Sequence, residues 1–374
     1  MLKQGVSLYE REIICPVVVD FNITKKCNLK CGFCYADAKN NCQQELSVLE
    51  IQKLLDEFQE LNIHVIRISG GEPFCHSEIK KIIGLLGKYH FVVCMNTNGT
   101  MISEEVANLL AESKISRVAV SVDSCNPALH EKMRGVRGCF QHTYKAIDWL
   151  LEKCPEKLYI TCTLTALNCD VESVMNIIEW CSMKKIRHLS FQVTADVGRC
   201  VDKKNLLMSQ AQWNTVFGFL TKMRGEEKKL FPEISVNPTN ESPVFYQYYY
   251  PLKNMGELNL LENIWGQKLE EKVEYISCVG GNISVAIDSN GDVYPCELMF
   301  GRKECVVGNI REKKFKELWD SASLFDEIYN KKKKDLNGKC SACENKFCGG
   351  GCRATALNET EDIWGSENGC PYEK

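Results

Sequence analysis

The sequence predicts an α/β protein: a parallel sheet with helices, followed by a smaller α+β region rich in cysteine. From residue 17 to about residue 193, short apolar runs alternate with stretches whose apolar residues recur at helical spacing. Six such strand–helix units indicate parallel strands, because parallel strands need a long crossover between them. The pattern alone fits a sheet wrapped on its outside by helices, and it also fits a doubly wound open sheet.

The predicted elements divide the chain into three parts. The six predicted strands are residues 17–19, 65–68, 91–94, 118–121, 159–163 and 189–191, with amphipathic helices at 48–61 and 171–183. We expect a core domain over residues 1–200, a connector over 201–275 and a cysteine-rich domain over 276–374. In the last domain, residues 283–287 and 292–294 flank an Asn290-Gly291 turn, which predicts a β-hairpin.

Composition excludes several classes of function. The 374 residues carry a net charge of −3, so there is no basic footprint for nucleic acid. The first residues lack the apolar core of a signal peptide, and no apolar run approaches the length of a membrane span. We therefore expect a cytoplasmic protein with no membrane partner. In that reducing compartment, 22 cysteines indicate metal binding rather than disulfides.

Three cysteines directly after the first predicted strand carry the strongest chemical signal. Cys27, Cys31 and Cys34 are spaced C-x3-C-x2-C, and thiolates are the soft ligands that iron–sulfur clusters prefer. A cubane cluster normally takes four thiolates, so a three-thiolate loop leaves one iron open to a non-protein ligand. Zinc is the alternative, but it needs a fourth ligand and only Cys42 is close in sequence.

The loop after the second predicted strand strengthens this reading. Gly70, Gly71, Glu72 and Pro73 follow Ser69 there, and glycines permit a close backbone approach to a ligand. Together with the cysteine loop, this segment resembles the radical SAM superfamily. The resemblance implies a partial (β/α)6 barrel whose open iron is chelated by S-adenosylmethionine. It also implies that the backbone of the Gly-Gly-Glu-Pro segment approaches the amino group of this cosubstrate.

Three further residues are candidate contacts of S-adenosylmethionine by the same resemblance. Ser121 and Asp123 end the fourth predicted strand, where relatives place polar groups on the ribose hydroxyls. An ordinary turn or helix-capping pair is the alternative. Arg134 resembles an arginine that meets the cosubstrate carboxylate, because a guanidinium suits bidentate pairing. A surface arginine is the alternative for this position.

A second group of cysteines lies in the C-terminal region. Its seven members are Cys278, Cys296, Cys340, Cys343, Cys348, Cys352 and Cys370. The array resembles the SPASM extension of radical SAM enzymes, although one gap has four residues where the usual pattern has five. The resemblance implies two auxiliary 4Fe-4S clusters, and thus three clusters in all. Zinc remains the alternative for the C-x2-C half, since four sulfurs also suit zinc.

The resemblance divides these seven cysteines between the two auxiliary clusters. The first cluster takes Cys278, Cys296 and Cys352, and the second takes Cys340, Cys343, Cys348 and Cys370. The first set is one ligand short, so its site is either open or completed by Cys305. Glu297 directly follows one of these cysteines, where sulfatase-maturase relatives carry an acidic residue. It is a candidate acid–base residue, and a solvated hairpin glutamate is the alternative.

The resemblance also implies the reaction. A flavodoxin or ferredoxin-type reductant supplies an electron, S-adenosylmethionine is cleaved to methionine and a 5′-deoxyadenosyl radical, and that radical removes a hydrogen from the substrate. SPASM enzymes mostly act on peptides, so the leading expectation is a thioether or carbon–carbon crosslink in a ribosomally made peptide. The alternatives are formylglycine formation, as in anaerobic sulfatase-maturating enzymes, and tetrapyrrole side-chain modification. A non-enzymatic iron–sulfur electron carrier is the competing class.

Substrate delivery is the last expectation from sequence. Only about sixteen residues precede the first predicted strand, which is too short for a leader-binding winged-helix domain. If the substrate is a leader-bearing peptide, we therefore expect recognition by a separate leader-binding protein or by the aromatic segment at residues 245–250 of the connector. Direct capture by this segment is favoured, because its rings offer apolar area together with hydroxyl groups. A packed aromatic bridge between domains is the alternative role for that segment.

Overall fold

A ten-stranded sheet organises the chain. The computed structural model describes residues 15–38, 44–226, 235–237, 245–266, 273–345, 347–367 and 370. The strands are β1 Val18–Asn22, β2 Val65–Ser69, β3 Val92–Thr97, β4 Ile115–Ser121, β5 Leu158–Leu164, β6 His188–Val193, β7 Ser235–Asn237, β8 Ser284–Ile287, β9 Asp292–Tyr294 and β10 Gly308–Asn309. Their order in the sheet is β10-β9-β8-β1-β2-β3-β4-β5-β6-β7.

The six predicted parallel strands are present as β1 to β6, in sequential order. Right-handed crossovers between sequential parallel strands place all the helices on one face, whereas a doubly wound sheet reverses the strand order. The sheet therefore curls into an open, partial barrel, and the doubly wound alternative is wrong. The third strand is longer than predicted, so Asn96 and Thr97 lie within β3 rather than after it.

The C-terminal hairpin extends the barrel sheet. Strand β8 pairs in parallel with β1, with Val18 opposite Ser284 and Phe21 opposite Ile287. Strands β8 and β9 then form the predicted antiparallel hairpin, and Gly291 has a φ of +92° in the connecting turn. A left-handed backbone conformation at this position suits glycine. One continuous sheet thus joins the barrel to the cysteine-rich region.

Helices that connect β1 to β6 pack on the outer face of the sheet, and further helices lie in the connector and the cysteine-rich region. The helices are α1 Val48–Glu60, α2 Ile79–Leu86, α3 Glu104–Glu112, α4 Pro127–Arg134, α5 Cys139–Lys153, α6 Val171–Met183, α7 Gln210–Glu226, α8 Phe245–Met255, α9 Asn259–Trp265, α10 Phe315–Ser321, α11 Ser323–Asn330 and α12 Arg353–Thr360. In α1, Ser47 and Glu50 form a capping box, which satisfies backbone donors at the helix start. Of the helices in the described part of the chain, none is both long and apolar enough to cross a membrane.

The last three residues of the aromatic segment, Tyr248 to Tyr250, are packed, and the side chains of residues 245–247 lie outside the described part of the structure. Tyr248 contacts the rings of Phe217 and Trp265, at centroid distances of 5.3 and 5.9 Å. The Tyr250 hydroxyl accepts a hydrogen bond from Asn345 in the cysteine-rich region, at 3.2 Å. These contacts agree with a bridge between the barrel and the cysteine-rich region.

Candidate functional site

Inward-facing side chains of β1 to β6 line a cavity of about 730 Å³. Because side chains alternate along a strand, every second residue points into this space, and neighbouring strands arrange these residues in layers. The layer at the amino ends of the strands, here called the floor layer, is Asp20, Arg67, Cys94, Arg117, Tyr159 and His188. The layers above it contain hydroxyl and amide side chains: Ser69, Asn96, Ser121, Thr161, Thr163, Ser190 and Gln192.

The three-cysteine loop lies at the opposite, carboxyl end of the cavity. Cys27, Cys31 and Cys34 all line it. The pKa of the Cys27 thiol is raised to about 12, mainly by burial and also by the neighbouring Cys31 and Cys34. The fold thus brings together the three sulfurs of the C-x3-C-x2-C motif. In the described part of the chain, no three His, Cys, Asp or Glu side chains converge on a single metal ion, whereas a cubane spreads its ligands over separate corners.

Segments that follow β2, β4 and β6 hold this loop from three sides. The Glu72 amide donates to the Lys26 carbonyl at 2.8 Å, and the Lys30 amide donates to the Arg134 carbonyl at 3.0 Å. After β6, the Arg199 side chain donates to the Cys31 carbonyl at 3.1 Å. Parallel strands bring their carboxyl ends to one edge, which is why segments far apart in sequence can grip one loop.

The Gly-Gly-Glu-Pro segment packs directly on the cysteine loop. The Gly71 amide donates to the Thr24 carbonyl at 2.7 Å, and a Cβ at Gly71 would overlap the Lys26 carbonyl. Gly70, Gly71 and Glu72 also line the cavity, while Pro73 begins a buried 3-10 turn. The backbone at Gly70 and Gly71 can therefore contact the cysteine loop on one side and a cosubstrate in the cavity on the other.

Replacing Gly71 with alanine should destabilise the protein by about 3 kcal/mol, because the added methyl group meets backbone that cannot swing away. Gly84 is the matched control, since it lies in α2 with no heavy atom within 4 Å of an added Cβ. Gly84→Ala should stabilise by about 0.5–1 kcal/mol. Thermal unfolding and retained iron measure both effects. Equal stability of the two variants would contradict this account of the loop.

Glu72 is a buried acid within the same segment. Its carboxylate accepts hydrogen bonds from the Thr97 hydroxyl and the Asn98 amide, both at 2.7 Å, and from the Phe74 amide at 3.2 Å. Burial nevertheless raises its pKa to about 7. The side chain therefore ties the second strand loop to the end of β3.

Arg134 and Asp123 form a buried ion pair beside the cysteine loop. Arg134 Nε lies 2.6 Å from Asp123 Oδ2, and the two side chains are almost completely inaccessible. A second guanidinium nitrogen lies 3.7 Å from Cys31 Sγ. Burial opposes the charge of Arg134, but Asp123 and Cys31 outweigh this effect, so the pKa of the guanidinium is raised. The surface-arginine alternative is thus wrong, and Ser121 and Arg134 line the cavity as expected of cosubstrate contacts.

Removing Arg134 alone should strand the Asp123 carboxylate in the interior. We expect Arg134→Met to destabilise the protein by about 3–5 kcal/mol, because an uncompensated buried charge is costly. Arg134→Met combined with Asp123→Leu should recover most of this loss, since no buried charge then remains. Thermal unfolding of the metal-free protein measures both variants. An additive loss in the double variant would show that the pair is not coupled.

The C-terminal cysteines lie in two groups, which correspond to the two sets that the resemblance implies. Burial raises the pKa of Cys278 to about 11, and Cys352 raises it further. Burial likewise raises the pKa of Cys296, with Cys278 and Cys352 as the next causes. Cys305 is a buried member of the apolar cluster against which Cys296 and Cys352 pack.

The second group surrounds the Tyr250 hydroxyl. Burial raises the pKa of Tyr250, and the neighbouring Cys370, Cys348 and Cys343 raise it further. Burial raises the pKa of Cys348 to about 11, and Cys370 and Cys340 contribute to the shift. These four cysteines therefore lie together although up to 30 positions separate them in the chain.

Glu297 reaches the barrel cavity from the cysteine-rich region. It begins the 3-10 turn after Cys296, is half-buried and lines the cavity. Burial raises the pKa of Tyr35, and the Glu297 carboxylate is the next cause. The Tyr35 hydroxyl lies 3.2 Å from the Ser69 hydroxyl. The half-buried Glu297 therefore belongs to the cavity wall, and its acid–base role stays a prediction.

The sequence reasoning missed several residues of the site. Asp20 and Arg67 form an ion pair at 2.5 Å inside the cavity, and Arg117 lies 4.1 Å from the Tyr159 ring centroid. Glu367, a buried carboxylate, accepts a hydrogen bond from the Cys352 amide at 3.1 Å. Polar residues at alternate positions of an apolar strand were the available signal, since they indicate an inward face that lines a cavity.

Comparison with known families agrees with this geometry. Residues 21–181 match the radical SAM superfamily, and residues 278–344 match SPASM, an iron–sulfur cluster-binding domain. The chain therefore belongs to the radical SAM superfamily and carries a SPASM domain. It is an enzyme of the class that uses S-adenosylmethionine and iron–sulfur clusters.

Individual relatives span nearly the whole chain. The AdoMet-dependent heme synthase of Methanosarcina barkeri is 26% identical over 96% of this chain and 97% of its own length. The mycofactocin maturase MftC of Mycolicibacterium smegmatis is 23% identical over 93% of this chain and 81% of its own. Streptococcus suis SuiB bound to precursor peptide SuiA has a TM-score of 0.73 at 20% identity, over 96% of this chain and 76% of that one. The anSMEcpe structure with bound AdoMet has a TM-score of 0.67 at 20% identity, over 95% and 93% of the two chains.

Proposed function

We propose that this radical SAM/SPASM enzyme modifies a peptide, removing hydrogen to install a thioether or carbon–carbon crosslink. The observation that carries the proposal is the character of the cavity wall above the floor layer. Its hydroxyl and amide side chains, such as Ser121, Thr161 and Gln192, can pair with the amide groups of an extended peptide. A flat apolar macrocycle would leave many of these polar groups without partners, which is unfavourable.

The cofactor assignment follows from the gathered cysteines. Cys27, Cys31 and Cys34 would hold the cluster that binds S-adenosylmethionine. The cluster and its bound cosubstrate would supply a 5′-deoxyadenosyl radical for hydrogen abstraction. Gly70 to Pro73, Ser121, Asp123 and Arg134 are the proposed cosubstrate-binding set. Within it, Asp123 would act by holding the Arg134 guanidinium in place, because its own carboxylate is occupied by that pair.

Two auxiliary clusters complete the proposal of three 4Fe-4S clusters. Cys278, Cys296 and Cys352 would hold the first, with a fourth position that is open or taken by Cys305. The second would be held by Cys340, Cys343, Cys348 and Cys370. The donor sets fit these groups, because each consists of buried or half-buried thiols that lie near one another. A flavodoxin or ferredoxin-type protein is the proposed reductant.

Glu297 is the proposed acid–base residue. Oxidation of a substrate after hydrogen abstraction releases a proton, and a half-buried carboxylate in the cavity can accept it. For substrate delivery, the burial of Tyr248 to Tyr250 argues against direct capture by these residues and favours a separate leader-binding protein. Tyr248, Tyr249 and Tyr250 are only 6–7% exposed, so they present little surface to a leader peptide.

Tetrapyrrole side-chain modification is the second candidate function. It is favoured by the AdoMet-dependent heme synthase of Methanosarcina barkeri, a relative that this chain covers almost completely. Identity of 26% is too low to transfer a substrate, but it supports testing this class beside the first.

A direct competition between substrates tests the proposal. The anaerobically reconstituted enzyme is incubated with S-adenosylmethionine, dithionite and either a candidate precursor peptide or Fe-coproporphyrin III, in parallel and then together. We expect 5′-deoxyadenosine in proportion to peptide product, with hydrogen lost from the peptide by mass spectrometry. Product from Fe-coproporphyrin III alone would overturn the peptide proposal in favour of the second candidate.

A further inference from the structure

The floor layer places charged side chains at the end of the cavity farthest from the cysteine loop. Strand registers align its members: Asp20 lies opposite Arg67, and Cys94 lies between Arg67 and Arg117. On β5, Tyr159 pairs with Ala119, the next inward-facing position of β4 after Arg117, and its ring contacts the Arg117 guanidinium on one side and His188 of β6 on the other. All six side chains line the same cavity as the cysteine loop.

The charges in this layer do not cancel. Asp20 is paired with Arg67, at 2.5 Å. Among the residues that the structure describes, Arg117 makes no ion pair. Its guanidinium lies over the face of the Tyr159 ring. The other acids that line the cavity lie elsewhere: Glu72 is bonded to Thr97 and Asn98, and Glu297 lies near Tyr35.

An aromatic stack orients this cation. The Arg117 guanidinium lies 4.1 Å from the Tyr159 ring centroid, and the His188 imidazole stacks on the same ring at 4.0 Å and 6°. The stack limits the freedom of the guanidinium without using its N–H donors, since a cation–π contact engages the flat face. Burial lowers the pKa of His188, and Arg117 and Arg187 lower it further, as expected in a positive potential.

We propose that Arg117, held on Tyr159 beside His188, binds a carboxylate group of the substrate. A guanidinium pairs with carboxylate in a bidentate geometry, and the hydroxyl-lined wall leads from this site towards the cysteine loop. From Tyr159 to Thr163 the strand rises about 13 Å, at about 3.3 Å per residue. The substrate is thus anchored at one end of the cavity while its reacting carbon lies at the other. This inference rests on the proposed function, because it concerns the substrate of the same cavity.

A charge-matched pair of variants tests the proposal. Arg117→Gln removes the anchoring guanidinium, whereas Arg187→Gln removes a nearby arginine that is exposed like Arg117 but does not line the cavity. For whichever substrate the wild type converts, the peptide or Fe-coproporphyrin III, we expect Arg117→Gln to raise KM roughly ten- to hundredfold, with a smaller effect on kcat. Arg187→Gln should change KM less than about threefold, and iron content confirms that both variants are folded.

Altered substrates identify the group that is bound. In the peptide, each Asp and Glu is changed in turn to the amide; for Fe-coproporphyrin III, the tetramethyl ester is used. Loss of one carboxylate should raise KM for the wild type but not for Arg117→Gln. If Arg117→Gln leaves KM unchanged, the anchor proposal is overturned while the reaction stands. If only the porphyrin is converted and depends on Arg117, the anchor stands and the peptide proposal falls.

A binding measurement tests the proposal if the enzyme converts neither substrate and no KM can be determined. Glutarate is the probe, and its binding to the reconstituted enzyme is followed by saturation-transfer NMR. We expect a signal for the wild type and Arg187→Gln that is lost in Arg117→Gln. No signal for the wild type, or the same signal for all three proteins, would overturn the proposal.

Discussion

Replacing Cys27, Cys31 and Cys34 together with alanine should abolish reductive cleavage of S-adenosylmethionine. These thiols line the cavity at the carboxyl ends of the strands, and the proposed cosubstrate cluster has no other protein ligands. The triple variant should lose the iron of one cluster and retain that of the two proposed auxiliary clusters, because separate cysteines would hold those. The measurements are 5′-deoxyadenosine formed with dithionite and iron bound per chain.

The control is a variant with Cys75 and Cys125 changed to alanine. Both are half-buried thiols outside the three cysteine groups, so this change should preserve iron content and cosubstrate cleavage. If the triple variant still formed 5′-deoxyadenosine, the assignment of the cysteine loop would be wrong.

Changing Glu297 to glutamine should stop product formation while preserving all clusters and cosubstrate cleavage. Glutamine keeps the shape of the side chain but cannot accept the proton that substrate oxidation releases. General acid–base catalysis typically contributes about 10²–10⁴-fold, so product formation should fall by that factor. The ratio of product to 5′-deoxyadenosine measures this loss directly, because cleavage then proceeds without completed turnover.

Glu304 offers a matched control for this change. It lies in the next turn of the same region, is exposed and pairs with Arg302. Glu304→Gln should retain the wild-type ratio of product to 5′-deoxyadenosine. Full turnover by the Glu297 variant would eliminate the acid–base role.

The parallel strands and the cysteine groups were predictable because they depend on local patterns. Apolar periodicity predicted β1 to β6, the Asn-Gly turn predicted the β8–β9 hairpin, and the resemblance of the cysteine motifs to a known family divided the C-terminal cysteines into two sets. Cluster ligands that lie close together in the chain, such as Cys27 to Cys34, can be identified from a sequence motif.

Other features required the folded chain. Pairing of β8 with β1 joins residues more than 260 positions apart, and no local signal specifies that partner. Arg134 read equally well as a surface residue until the barrel placed it between Asp123 and Cys31.

The sequence by itself determined the superfamily motif, the class of cofactor and the positions of the parallel strands along the chain. Only the tertiary structure decided that Glu297 from the second cysteine region faces the barrel cavity, and that Arg117, Tyr159 and His188 stack at its floor. The physical reason is that spacing along the chain constrains neighbours within a loop or helix turn. Contacts between strands depend on register and on curling of the whole sheet, which many distant residues determine together.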